Sequence, residues 1–221
     1  MSGRRAAPRD GLYVVGVTGG VASGKSTFVR HLAEAMPSVV VDADRLGHGV
    51  LDRPEIAAQL VRAFGEDVLD PEGRVLRAVL GPRAFATPER LATLNRIVQD
   101  PLTAAVEREL ARLALEFQGL AILDAALLVE WDKGSWCDYV VAVVADPRVR
   151  VERLVARIGL ARAEAERRVD AQLPDGTRAE YADATLENAG TLAEFEARSR
   201  DCAQAIATRA RAALAARGPV G

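Results

Sequence analysis

The chain is short of cysteine, of histidine and of excess charge, and each shortage removes a class of function. Only two cysteines, Cys137 and Cys202, stand in 221 residues, far apart and without a metal-ligand spacing. They read as reduced, ordinary thiols. There are two histidines; His31 falls in a helical stretch and His48 follows a strand, and neither has a partner that would make a metal site. Packing or solvent exposure is the reading for both. Lys and Arg total 29 against 31 for Asp and Glu, a formal net charge of −2. No basic excess marks a nucleic-acid partner, and no long like-charge run marks an interacting tail. Arg4, Arg5 and Arg9 make only a short basic start. No apolar run is long enough to span a bilayer, and Gly11 to Val17 is too short for a signal-peptide core. These absences predict a cytoplasmic protein with no membrane or nucleic-acid partner. No internal repeat or low-complexity linker breaks the chain, and Gly218 to Gly221 reads as a loose tail.

What is present suits one α/β domain with insertions: 49% of residues are hydrophobic, enough for a sizeable core. Apolar, β-branched runs at Val14–Val17, Val39–Val41, Leu120–Leu123 and Tyr139–Val144 read as strands. Helical patterns alternate with them, which predicts a parallel sheet covered on both faces. Between about Gly49 and Gln118 no strand is evident. Glu55–Phe64, Arg74–Phe85, Pro88–Val98 and Leu102–Phe117 read as helices, punctuated by prolines that include Pro82 and Pro101. Further helices are expected at Val149–Arg157, Arg162–Gln172 and Leu192–Ala215.

Ligands of such sheets bind beyond the carboxyl ends of the strands, so the polar residues there carry the chemistry. After the first strand comes Gly19-Gly20-Val21-Ala22-Ser23-Gly24-Lys25-Ser26-Thr27, and then a helix beginning near Phe28. Gly, four residues, then Gly-Lys-Ser in this setting predicts a phosphate cradle. Its N–H groups point inward, Lys25 reaches the β- and γ-phosphates, and Ser26 can ligate Mg²⁺. The alternative is a Gly-rich turn whose Ser23 or Ser26 caps a helix. After the second strand come Asp42-Ala43-Asp44. If that strand continues, alternation puts Asp42 and Asp44 on one side, facing the phosphates. A carboxylate there can orient an attacking hydroxyl or take its proton. Otherwise either residue caps the next helix. Asp124, after the third strand, resembles a Walker-B acid that helps hold Mg²⁺, and Glu130 beyond it is supporting or structural. Arg150, Arg153 and Arg157 lie at i, i+3 and i+7 on one helix face. That face either closes over ATP or is a solvated surface.

Taken together, the ordered set resembles the dephospho-coenzyme A kinase family from about Tyr13 to Gly190. The signatures are Thr18 to Thr27, Asp42-Ala43-Asp44, Phe64-Gly65, Gly73-Arg74-Val75-Leu76-Arg77, Phe85, Leu94-Asn95 and Leu127-Leu128-Val129-Glu130. Arg153, Arg157, Gln172, Ala182-Asp183 and Asn188-Ala189-Gly190 complete it. The resemblance implies a P-loop kinase fold, with ATP, Mg²⁺ and the ribose 3′-hydroxyl of dephospho-coenzyme A as the reacting partners. It implies Asp44 as base with Asp42 its partner, Arg77 and Leu127 on the acceptor side, and Arg153 and Arg157 as lid arginines. It puts Gly20 to Thr27 on the phosphates, and Asn188 with Gly190 near the adenine. It divides the chain into a nucleotide-binding core (10–48, 119–146 and 180–217), a helical acceptor domain (49–118) and a lid (147–179), in a monomer or small homo-oligomer. Departures are Asp100-Pro101 where the family usually has His-Pro, Ala126 for a Pro, Arg150 for a frequent Gln, and Arg178 for a common Lys. Another small-molecule or nucleoside monophosphate kinase, or a nucleotide-dependent switch, are the competing readings.

Overall fold

The most apolar run of the chain takes the most protected place. Strand β1 (Leu12–Thr18) is buried at every residue and lies at the centre of a sheet ordered β2-β3-β1-β4-β5. The computed structural model describes residues 11–217; Arg4, Arg5, Arg9 and residues 218–221 lie outside them. Helix α1 (Lys25–Ala35) leads to β2 (Ser38–Asp42), and then α2 (Ala43–Leu51), α3 (Pro54–Phe64), α4 (Arg77–Ala84) and α5 (Pro88–Glu116) follow. The chain continues through β3 (Gly119–Asp124), β4 (Tyr139–Val144), α6 (Pro147–Ile158), α7 (Arg162–Asp170), α8 (Asp175–Tyr181), β5 (Ala184–Glu187) and α9 (Leu192–Arg217). Every strand pair is parallel. All carboxyl ends therefore open on one edge.

The described residues form two compact units: one comprises β1 to Asp42 and Glu109 onward, the other Ala43–Arg108. In the first, period-2 alternation sends Tyr13, Val15 and Val17 to one face with Ile122, Val141 and Val143. Phe28, Val29 and Leu32 of α1, and Phe195, Ala203, Ile206 and Ala207 of α9, cover that face. Phe28 and Phe195 are fully buried, stabilising by about 1.5–3 kcal/mol each. On the opposite face Gly16 is fixed by close packing, because a Cβ there would come within 2.6 Å of Leu128 and 2.7 Å of the Cys137 sulfur.

His31 makes a buried polar contact in the α1–α9 seam; its Nδ1 lies 2.8 Å from the Ser199 hydroxyl and its ring is buried. Burial, then the charges of Arg30 and Arg200, lower its pKa below 6.5, with Glu34 and Glu196 opposing. The folded state thus favours the neutral ring. Its contribution is present above about pH 6.5, where the unfolded imidazole is also neutral, and is lost as pH falls below that. Denaturant melts from pH 8 to 5 should show this acid loss, and His31→Gln should flatten it. An unchanged slope in the variant would remove His31 from the account.

The second unit is helical, as its helical patterns and lack of strand signals predict, with two corrections. Pro88–Val98 and Leu102–Phe117 are one helix, since α5 runs through Pro101. Proline removes one ladder N–H; the Thr103 hydroxyl bonds the Asp100 carbonyl at 3.0 Å just past that point. The expected helix from Arg74 starts only at Arg77. Residues before it form a tight turn instead: Leu69 bridges Val75, the Arg74 N–H donates to Asp70, and Gly73 sits at φ 81°. Three elements go beyond the sequence reading. Helix α2 begins directly at the end of β2, α8 follows α7, and the four-residue β5 forms the far edge of the sheet.

Candidate active site

Six residues, Gly19 to Ser23 and Gly24, turn the chain from β1 into α1. Gly24 takes a left-handed φ of 104° and caps α1 without any side-chain hydrogen bond. A Cβ there would overlap the Asn188 amide and come within 2.9 Å of Phe195, so close approach as well as φ demands glycine. Ala22 is also left-handed, at φ 60°. Alternation of left- and right-handed residues before a helix turns successive N–H groups to one side and forms an anion-binding concavity at the positive helix end. A glycine turn capped by Ser23 or Ser26 does not occur: Ser23 is fully buried below the loop, Ser26 is exposed in the first turn of α1, and Thr27 follows it half-buried.

The Lys25 ammonium donates to Asp124 in a charge-assisted pair, both side chains about 15% exposed. Asp124 ends β3, in register with Val17 on one neighbour and Asp42 on the other. The carboxyl edge of the sheet therefore carries Asp42 and Asp124 side by side, with the loop lysine on the second. Hydroxyl and carboxylate oxygens are the hard donors Mg²⁺ takes, and it commonly uses one or two carboxylates beside substrate phosphates. Ser26 and Asp124 fit that ion.

The three arginines of α6 do not share a fate. Arg150, expected to face ATP or solvent, is 2% exposed; it donates to the Val21 carbonyl (3.0 Å), the Gln172 side-chain oxygen (2.5 Å) and Asp175 (3.3 Å). Both readings fail for it because it points into the protein. Burial, chiefly, and Arg178 lower its pKa, with Asp175 opposing. Arg153, one turn on, donates to the Ala22 carbonyl (3.1 Å) and to Asn188 (3.0 Å). Arg157 is exposed. Asn188 is buried and donates in turn to the Ser23 carbonyl at 2.7 Å, so it braces the loop from beneath. Gly190 and Ala189 line a hollow of about 520 Å³ with Glu194, Ala197 and Arg198.

Asp42 closes β2 and is exposed. Asp44 is not a strand residue: the strand stops at Asp42, and Asp44 lies exposed in the first turn of α2. The alternation argument that paired the two carboxylates therefore fails, while an acid in a first turn complements the helix dipole. Arg77 opens α4 and is exposed, as is Asp100 inside α5. Leu127 is half-buried in the loop after β3, which is tied to the end of β1 by a Thr18 hydroxyl bond to Ala126. Asp175 carried no signal beyond its i, i+3 spacing to Arg178, yet it accepts from both buried arginines. No cluster of three or more His, Cys, Asp or Glu occurs among the described residues, and no described helix is long and apolar enough to cross a membrane.

A parallel sheet whose central strand feeds this loop, and whose loop lysine meets a carboxylate on the next strand, puts the protein in the class of P-loop nucleotide-binding folds. Its sequence narrows the class: the family model described as Dephospho-CoA kinase matches residues 13–194. The chain belongs to the dephospho-CoA kinase family. It is 43% identical over 180 residues to a dephospho-CoA kinase of Anaeromyxobacter dehalogenans, covering 81% of this chain and 85% of that one. It is 40% identical over 189 residues to that of Streptomyces avermitilis, covering 85% and 90%. A crystal structure from Thermus thermophilus is similar at a TM-score of 0.68 and 33% identity, over 88% of this chain and 97% of that one. The dephospho-CoA kinase of Campylobacter jejuni shares the fold, with a TM-score of 0.58 at 22% identity over 90% and 99%.

Proposed function

We propose that the protein transfers the γ-phosphoryl group of ATP to the ribose 3′-hydroxyl of dephospho-coenzyme A, giving coenzyme A and ADP in the last step of coenzyme A synthesis. The observation that carries the reading is the glycine loop at the start of α1, where no side chain caps the helix, with Lys25 held at Asp124, in a chain of this family. Gly20, Val21, Ala22, Ser23, Gly24, Lys25, Ser26 and Thr27 form the phosphate cradle. Ser26 and Asp124 would hold Mg²⁺, which supplies positive charge to the phosphate oxygens. Asp44 takes the proton of the acceptor hydroxyl and Asp42 supports it. This assignment rests on their place at and just after the carboxyl end of β2, with Asp42 in register with Asp124. Arg77 and Leu127 serve the acceptor. The hollow at Gly190 takes the adenine, and Asn188 serves that side by holding the loop. Arg153 and Arg157 neutralise charge on the phosphoryl group in flight. In the same reading, 147–179 is a lid and 49–118 the acceptor domain, and the enzyme works in the cytoplasm as a monomer or small homo-oligomer.

Purified protein with ATP, Mg²⁺ and a panel of acceptors tests this. Fast transfer to dephospho-coenzyme A, with little to nucleoside monophosphates, is expected; a folded protein that transfers nothing to dephospho-coenzyme A overturns it. Arg153→Ala should lower kcat about tenfold or more while ATP affinity moves less, because its charge matters most in the transition state. Steady-state kinetics beside calorimetric ATP binding separate the two, and an unchanged kcat would strip Arg153 of the role.

A further inference from the structure

Two buried arginines and two partly buried carboxylates of this unit form a connected path, and the phosphate loop is its first member. The Val21 N–H donates to the Gln172 side-chain oxygen at 2.9 Å, and the Val21 carbonyl accepts from Arg150 Nε at 3.0 Å. Arg150 Nη2 donates to that same Gln172 oxygen at 2.5 Å. One guanidinium therefore fixes the carbonyl of Val21 directly and its N–H through Gln172. Arg150 Nη1 reaches Asp175 at 3.3 Å; the other Asp175 oxygen accepts the Ala145 N–H, and Arg178 donates to Asp175 at 3.4 Å. Arg178, fully buried, ends the path on Glu130 at 2.5 Å. Two guanidinium groups face two carboxylates, so the charge is balanced within the path.

Two further observations tie this path to the loop's shape. Residue 20 is a glycine against whose backbone the Arg150 guanidinium lies; a Cβ there would come within 2.6 Å of Nη1. The residue after Val21, Ala22, holds a left-handed φ of 60° that a side-chain-bearing residue rarely adopts. Such a turn persists where its surroundings over-determine it. The Arg150 donors end on protein partners beneath the loop, so the residue acts through the loop and not on the nucleotide.

We propose that Arg150 is a positioning residue for phosphoryl transfer: with Gln172 it clamps the Val21 turn and so holds the loop's N–H groups in their phosphate-binding directions. This rests on the kinase reading above. Loss of the clamp weakens the donor side and leaves the acceptor side alone.

Arg150→Met is expected to raise KM for ATP about tenfold or more, and to weaken ADP binding by a similar factor, while KM for dephospho-coenzyme A stays within twofold. Arg150→Gln, whose amide can donate to the Val21 carbonyl, should recover most of the loss. Arg150→Met with Asp175→Asn should not, because it cures only the carboxylate that lost one of its two arginines. An ATP KM within twofold of the parent in Arg150→Met overturns the proposal, as does full rescue by Asp175→Asn. If Arg150→Met fails to fold, Gln172→Met carries the test: a raised ATP KM at unchanged dephospho-coenzyme A KM supports the clamp, and an unchanged ATP KM overturns it. The ADP-binding arm needs no acceptor. A parent enzyme inactive on dephospho-coenzyme A would thus fail the kinase reading while leaving the clamp decided by binding.

Discussion

An Asp44→Asn enzyme is expected to bind ATP as the parent does and to transfer phosphoryl groups at least about 10²-fold more slowly. The two properties separate because the substitution touches one and spares the other. Asn has the size of Asp and is a good residue at a helix start, so α2 keeps its first turn. What it loses is a formal charge at the positive helix end, roughly 0.3–1 kcal/mol at an exposed site. A loss so small leaves the fold intact and the rate defect chemical. The amide cannot take the hydroxyl proton, and it orients that hydroxyl less strongly than a carboxylate. Calorimetric ATP binding beside a coupled ADP-release assay checks both halves. Turnover within threefold of the parent would take the base away from Asp44 and leave Asp42 as the next carboxylate to replace.

Lys25→Ala should lose ATP affinity and turnover together, each by about 10²-fold or more. Lys25 stands at the first position of α1, where its charge adds to that of the helix end, and its side chain is only 15% exposed. Its contact with phosphate spans ground and transition states, so binding and rate fall with it. The variant also breaks the partly buried pair with Asp124, costing roughly 1–3 kcal/mol of stability. The double variant Lys25→Ala with Asp124→Asn should regain much of that stability and none of the phosphate affinity. Denaturant melts and ATP titrations of the three proteins form the cycle. A Lys25→Ala protein that binds ATP normally would refute the cradle itself.

The donor half of the site was legible in the sequence because its signals are local. A buried strand, a glycine turn and a helix start lie within Leu12 to Ala35, and the structure keeps them in that order. Legibility faded wherever the outcome depended on distant contacts. Arg150, Arg153 and Arg157 share a spacing, but the partners that bury the first, Val21 and Gln172, come from elsewhere in the chain. The Val21–Gln172 bond joins residues 151 apart. Asp42 and Asp44 looked like strand neighbours because β-branched residues precede them; helix α2 begins at Ala43 with no intervening loop, and alternation ends there. Strand β5 was invisible for the opposite reason. Ala184–Glu187 has one buried apolar side chain, Leu186, and is held by its ladder to β4 and by Asp183, which accepts the Val140 N–H and donates to its carbonyl.

The seam between α1 and α9 has a consequence for how the enzyme comes into being. The helix that carries the phosphate loop is made before α9, and the part of its packing surface from Phe195 to Ala210 is made only after the sheet. Long-range contacts of this kind form late, and the unit that contains them waits for them. On the ribosome, the side of α1 that meets α9 stays without that cover until Leu192–Arg217 follows. The nascent chain therefore completes the support of its nucleotide site only once α9 has been made, and a product that stops short of α9 leaves the loop motif intact in sequence and without that support in space.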